Sequence, residues 1–219
     1  GGSQNLKLCN EVTKVGVIDY GMGNIYSVVG AFEYIGASVD IVSDPDEISK
    51  YSTIVLPGVG SFRMGMEYLS NRGLDVAIID SVLNQKAKIL GICLGMHLMG
   101  SSGTEDGNTK GLGILPNKVE RFKAGELAGN KLPHVGFNTI FFDKEERFFK
   151  GLPSLPDFYF IHSYRMLLDD TQQIYATCKY GVDFLAAIKV DNIYGVQFHP
   201  EKSQTNGLTL LKNFLTESS

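Results

Sequence analysis

The stretch that most restricts what this chain can become is Lys88–Met99, KILGICLGMHLM. Residues that favour extended backbone, Ile89, Leu90 and Ile92, run into a Gly-x-Cys-x-Gly turn at Gly91–Gly95. Leu94, Met96, Leu98 and Met99 then lead away in a form that a helix can continue. With cysteine in place of serine this is the pattern of a nucleophile elbow, the sharp strand-to-helix turn that lifts a nucleophile above a sheet. Such a turn is tight and has neighbouring backbone close by, which calls for glycine on both sides of Cys93. A helix opening at Leu94 would set backbone amides beside the sulfur, where they favour thiolate and can bind a developing oxyanion. The same five residues also describe a buried cysteine at an ordinary βα junction. The rest of the chain has to decide.

The first hundred residues alternate strand and helix around this turn. Val15–Asp19 (VGVID) reads as a buried strand, followed by the glycine loop Tyr20–Asn24 (YGMGN) and a helix carrying Ile25, Val28, Val29, Phe32 and Ile35. The loop's GxG could hold a phosphate, but its longer fingerprint is missing and a tight turn explains it as well. Ser38–Ser43 and Thr53–Leu56 are the next strands. The latter ends in PGVGSF, Pro57–Phe62, a glycine loop at the strand end where ligands gather in open α/β sheets. Helices are expected over Met64–Leu69 and Leu74–Asn84, and so a parallel sheet covered on both faces.

The second half changes character. Ser101–Lys110 (SSGTEDGNTK) reads as a polar loop. Strand patterns follow at Val119–Phe122, Thr139–Phe142, Phe158–Ile161, Ile174–Cys178, Leu185–Lys189 and Ile193–Gln197, separated by turn residues that favour antiparallel hairpins. Gly207–Leu215 closes the chain as a helix with Leu208, Leu211 and Phe214 or Leu215 on one stripe. The predicted class is α/β, a single domain over residues 14–219 with a mixed sheet. Residues 1–13 open on GGS, carry Cys9 and are set apart as a tag or disordered N-terminal extension.

Composition narrows the partners. A net charge of −4 without a long basic run argues against nucleic acid. No segment reaches the length of a membrane span or has the form of a signal peptide, so no membrane partner is expected. The three cysteines, Cys9, Cys93 and Cys178, are odd in number, far apart and without CxxC pairing. That argues against a disulfide framework or structural zinc, and for a reducing, cytoplasmic setting. Neither a metal nor a cofactor is expected.

A cysteine nucleophile needs a base, and the base needs an orienting group. Of four histidines, His199 stands in GVQFHPEKS directly after a strand, where Pro200 forbids the strand from continuing. Glu201 follows two residues on, within reach of an imidazole nitrogen. His97, one helical turn past Cys93, can touch the same pocket, and His162 in YFIHSY can wall it. His134 in LPHVGFN reads as a surface or interface residue.

The order PGVG, GICLGM, GVQFHPEKS resembles the class I (triad) glutamine amidotransferases, with their open mixed, mostly parallel sheet, helices on both faces and a nucleophile elbow. YGMGN, PHVGFN and HSY are similar to the glutaminase subunits of imidazole glycerol phosphate synthases, and the likeness runs from Val15 to Leu215. The resemblance implies that Cys93 attacks the side-chain amide of L-glutamine and that His199 shuttles the proton to leaving ammonia. Glu201 would orient the imidazole. It implies an oxyanion hole from the backbone N–H of Leu94 and of Val59 or Gly60, in a loop that can stay misaligned until a partner binds. Substrate contacts would come from Gly60, His97, Glu105, Ser163 and Tyr164. The implied partner is a (β/α)8-barrel cyclase facing Gly21, Met22, Gly23, Asn24, Phe137, Asn138 and Lys202, to which ammonia passes without meeting bulk water.

Two positions depart from the family pattern. His97 stands where glutamine is usual, and Phe137 where the histidine-pathway subunit usually has tryptophan. His97 bears on substrate affinity and pH dependence, whereas Phe137, with SSGTEDG in place of a more acidic loop, leaves open a paralogous glutaminase serving an amino- or amidino-sugar synthase in surface-glycan biosynthesis. A stand-alone thiol hydrolase would use the same Cys–His–Glu set. A redox sensor would need a resolving cysteine, and Cys178 has no close sequence partner.

Overall fold

Continuous apolar runs in the central strands require the sheet to be covered on both faces. The computed structural model describes residues 12–169 and 173–217, so Cys9 and most of the N-terminal extension lie outside the described residues. The first half runs β1 (Lys14–Ile18), α1 (Ile25–Tyr34), β2 (Ser38–Val42), β3 (Thr53–Leu56), α2 (Phe62–Asn71), α3 (Leu74–Leu83), β4 (Lys88–Ile92) and α4 (Leu94–Leu98). Successive strand side chains point to opposite faces. Val15 and Val17, Val55, Leu90 and Ile92 therefore enter one apolar layer, while Ile18, Ile54, Leu56 and Ile89 enter the other.

The second half runs β5 (Ser102–Gly103), β6 (Thr109–Lys110), β7 (Lys118–Arg121), β8 (His134–Phe141), β9 (Asp157–His162), β10 (Tyr164–Met166), β11 (Ile174–Tyr180), β12 (Val182–Val190), β13 (Ile193–Val196) and α5 (Gln204–Thr216). Val28 and Phe32 of α1 join Leu210, Leu211 and Phe214 of α5 on the first layer. Met66 and Leu69 of α2 join Leu74, Ile78 and Val82 of α3 on the second. Helices thus cover both faces.

The large sheet has the order β2-β1-β3-β4-β13-β12-β11-β8-β9. β2, β1, β3, β4 and β13 pair in parallel, and from β13 to β9 every pairing is antiparallel. A smaller sheet, β10-β7-β5-β6, stands beside it. Its β5–β6 hairpin corrects the reading of Ser101–Lys110 as loop: each strand is two residues long, too short to show a period. The hairpin matters because Glu105 lies in its turn.

Among the described residues no helix is long and apolar enough to cross a membrane. Nor does any group of three His, Cys, Asp or Glu side chains gather as metal ligands do.

Candidate active site

β4 runs directly into α4, and Cys93 is the hinge between them. Its backbone sits at φ 54° and ψ −111°, a strained conformation for a residue with a side chain. The flanking glycines are a steric necessity. A Cβ on Gly95 would stand 1.7 Å from the Leu56 carbonyl oxygen, and one on Gly91 would stand 2.7 Å from the Met96 nitrogen. The turn can exist only with glycine at both places, which favours the elbow over an ordinary junction.

Strand register brings the next residues alongside. β13 lies parallel to β4 with Val196 opposite Ile92, and the Cys93 N–H donates to the Val196 carbonyl at 2.8 Å. Extending that register past the strand end carries Gln197, Phe198 and His199 past the elbow, and the Pro200–Lys202 turn then folds back. The His199 N–H donates to the Tyr159 carbonyl at 2.9 Å, which fixes the backbone there.

His199 Nδ1 lies 2.7 Å from Glu201 Oε1, with both side chains at most 5% exposed. Burial works to push the imidazole down, but hydrogen bonding and charge from Cys93 and Glu201 outweigh it and hold the ring up at about 10. Among the described residues His199 Nε2 has no partner of hydrogen-bond geometry, although Cys93 is near enough to raise the ring's basicity. That nitrogen is therefore free to pick up or hand over a proton. A sulfur nucleophile, an imidazole beside it and a carboxylate orienting the ring form the set that acyl transfer requires.

Cys93 and Leu94 open on a cavity of about 350 Å³ whose wall also includes Val59, Gly60, His97, Glu105, His162, Ser163 and Tyr164. Every substrate contact implied by sequence is thereby brought to one place. Glu105 Oε2 accepts the Phe62 N–H at the start of α2, at 3.3 Å. Burial raises the Glu105 carboxyl, and that amide partly offsets the rise.

The loop that would complete an oxyanion hole is turned the wrong way for it here. The Leu94 N–H already donates to the Gly58 carbonyl at 3.2 Å, so it is not available to an oxyanion in this conformation. The loop supplying that carbonyl is held from below, since the buried Tyr20 hydroxyl donates to the Pro57 carbonyl at 2.7 Å. Burial, and then the neighbouring Cys93 charge, keep that phenol protonated.

Behind the elbow a second cavity of about 80 Å³ is lined by Asn24, Pro57, Gly58, Val59, His199, Glu201 and Lys202. Of the residues assigned to a partner surface, Gly21, Gly23, Asn24, Phe137 and Lys202 are exposed and Asn138 is half-buried. Met22 is the exception: it is buried, and its methyl sits where a Cβ on Gly60 would go, 2.4 Å away. It packs beneath the glycine loop rather than facing out.

His134 is also corrected. It is buried, stacked on Phe160 and against Tyr180 at centroid separations of 4.9 and 4.2 Å. His162 Nδ1 donates to the Tyr164 carbonyl at 2.8 Å, leaving its Nε2 to accept from His134 Nδ1 at 2.9 Å. His134 Nε2 in turn accepts from the Asn138 amide at 3.2 Å. Each tautomer follows from the one before it. Burial holds both rings neutral, His134 down at about 4 and His162 at about 3.

Gln197 is the site residue that the sequence reading missed. It is fully buried, with Oε1 2.6 Å from His97 Nε2 and its amide nitrogen 3.9 Å from Cys93 Sγ. Its spacing of two from His199 on an extended segment was the available signal. Cys178, in contrast, is buried in the first apolar layer of the sheet, with burial pushing its thiol up to about 12.

Comparison with known proteins agrees with this geometry. The family described as glutamine amidotransferase class-I matches residues 16–218. The chain is 43% identical over 209 residues to an imidazole glycerol phosphate synthase subunit HisH 1 of Parasynechococcus marenigrum, covering 95% of this chain and 100% of the relative. It is 42% identical over 200 residues to subunit HisH of that synthase from Moorella thermoacetica, covering 91% and 93%. Among solved structures, one described as a glutamine amidotransferase has a TM-score of 0.72 at 18% identity, covering 92% of this chain and 96% of that one. A glutamine amidotransferase of Thermotoga maritima has a TM-score of 0.64 at 17% identity, covering 94% and 99%. At these identities the structural likeness is one of fold. Profile and relatives together place the chain in the class-I glutamine amidotransferase family.

Proposed function

We propose that this chain is the glutaminase subunit of an imidazole glycerol phosphate synthase of histidine biosynthesis, working in the cytoplasm. It hydrolyses L-glutamine to glutamate and passes the ammonia to a (β/α)8-barrel subunit. The observation that carries this reading is Cys93 in the cavity wall, with His199 near enough to interact with it and Glu201 2.7 Å from the ring. Relatives of 42–43% identity that bear the synthase's name support the pathway.

Glutamine enters with its α-ammonium toward Glu105 and its remaining polar groups toward Ser163, Tyr164 and the Gly60 backbone. The Cys93 sulfur attacks the side-chain amide carbon, and the carbonyl oxygen becomes an oxyanion. His199 gives its proton to the departing nitrogen, ammonia leaves, and a glutamyl thioester remains on Cys93. Water, deprotonated by His199, attacks the thioester, and glutamate and the thiol are restored. Glu201 keeps the ring oriented throughout.

Stabilising the oxyanion requires the Gly58 carbonyl to leave the Leu94 N–H, so the Pro57–Gly60 loop has to rearrange. Docking of the barrel supplies the drive for that change, which makes turnover conditional on the partner. The cavity behind the elbow, reaching Asn24 and Lys202, is the path for ammonia. The docking face includes the exposed Phe137 and Val135 of β8 and Ile161 of β9, an apolar stripe on the edge hairpin. A glutaminase serving an amino- or amidino-sugar synthase is the second reading, favoured by Phe137 where the histidine-pathway pattern has tryptophan and by SSGTEDG at 101–107 in place of a more acidic loop.

A glutamine-mimicking diazoketone, 6-diazo-5-oxo-norleucine, tests the assignment. Peptide mass spectrometry is expected to find it on Cys93 alone, with glutamine protecting; labelling elsewhere with Cys93 unmodified contradicts the proposal.

A further inference from the structure

We infer that His97 is a positioning residue for the nucleophile, acting through Gln197 on the Cys93 sulfur instead of through a contact with substrate. The inference rests on the proposed role of Cys93. Two elements converge to make it. His97 lies on α4 one turn beyond Cys93, and Gln197 is the first residue after β13, brought beside the elbow by the β4–β13 register. Both side chains are closed off from solvent, His97 at 4% exposure and Gln197 at none.

The hydrogen-bond directions follow from the chemistry of each group. A thiolate sulfur can only accept, so the Gln197 amide has to turn its NH₂ toward Cys93, where the nitrogen stands 3.9 Å from Sγ. The Gln197 carbonyl then faces His97 Nε2 at 2.6 Å, and that nitrogen must carry the hydrogen. Burial, only partly countered by this bond, pushes the His97 ring down to about 4 and keeps it neutral. Nδ1 is then a bare acceptor.

An amide has nearly the same shape after a half-turn, so packing alone does not choose between its two orientations. The His97 donor makes the choice. Without it the Gln197 carbonyl oxygen can rotate onto the sulfur and oppose the negative charge there. The chain thus carries an imidazole lock on a buried amide, with the amide N–H₂ as the group that meets the thiolate.

The test measures the rate of iodoacetamide alkylation at Cys93, read by peptide mass spectrometry, together with kcat and KM for glutamine. The full chain is compared with His97→Leu, Gln197→Leu, the double variant and His97→Gln. Each leucine variant is expected to alkylate about tenfold more slowly, with kcat rather than KM for glutamine reduced. The double variant is expected to be no slower than either single one, because one linkage is lost in all three. His97→Gln, whose amide can still donate to the Gln197 carbonyl, is expected to recover most of the rate. Unchanged alkylation in His97→Leu with a raised KM would assign His97 to the substrate and overturn the inference. In the unsubstituted protein, ¹⁵N NMR is expected to find His97 neutral with hydrogen on Nε2; an Nδ1–H tautomer or an imidazolium overturns it regardless of how the variants fold. Glutamine hydrolysis surviving Cys93→Ala would remove the reading on which the inference rests.

Discussion

His199 is held protonated to unusually high pH by its neighbours, and this sets the pH behaviour of the site. Its value in the fold, about 10, exceeds the ordinary imidazole value because Cys93 and Glu201 overcome the burial that would lower it. The stabilisation from pairing is therefore complete below the ordinary value near 6.5 and is lost as pH rises through about 10. A general acid that must be protonated fails on that same alkaline limb. Glu201→Gln keeps a hydrogen-bond acceptor beside Nδ1 but removes its charge. The alkaline limb of kcat is then expected to move to lower pH, with turnover at neutral pH falling about tenfold or more. A pH–rate profile checks this, and an unmoved limb contradicts the role of Glu201. At this scale the sequence was informative wherever chemistry sits in a short spacing, as in Gly-x-Cys-x-Gly and His-Pro-Glu. Gln197 escaped because its meaning depends on a strand register that aligns it with a residue 104 positions away.

Among elements, the edge hairpin β8–β9 does more than close the sheet. The relay from Tyr164 through His162 and His134 to Asn138 ties the cavity wall to the strand that carries Phe137. His134→Phe keeps an aromatic ring in the stack against Phe160 and Tyr180 but takes the donor from His162 Nε2. A buried acceptor left unpaired costs about 1–3 kcal/mol, and urea denaturation is expected to register a loss in that range. KM for glutamine is expected to rise as well, because Ser163 and Tyr164 lose their support. Unchanged stability and KM would mean the relay is incidental. The parallel half of the sheet was legible because its buried strands are apolar runs with helical stretches between them. The β5–β6 hairpin and the burial of His134 were not. Two-residue strands carry no period, and a histidine at a strand start has no local sign of the rings that will surround it.

For the whole molecule, the elbow stands between two cavities. The larger one takes in Glu105, Ser163 and Tyr164, and the smaller one reaches Asn24 and Lys202 on the other side of His199. The Pro57–Gly60 loop borders both and, in this conformation, spends its Gly58 carbonyl on the Leu94 N–H. On the proposed reading, such an arrangement would separate glutamine entry from ammonia exit, with the oxyanion site completed when the loop moves. The exposure of most residues assigned to a partner face was legible from loop position, whereas the burial of Met22 was not, since it depends on how the Tyr20–Asn24 loop folds under Gly60. The central claim is that this chain makes ammonia from glutamine at Cys93 and does nothing to the acceptor. Its most direct test is synthesis by the complex of Cys93→Ala with the barrel protein, fed first with glutamine and then with ammonium salt. Glutamine-dependent synthesis is expected to fall about 10³-fold or more while ammonia-dependent synthesis stays at the wild-type rate; loss of both to the same extent would contradict the account.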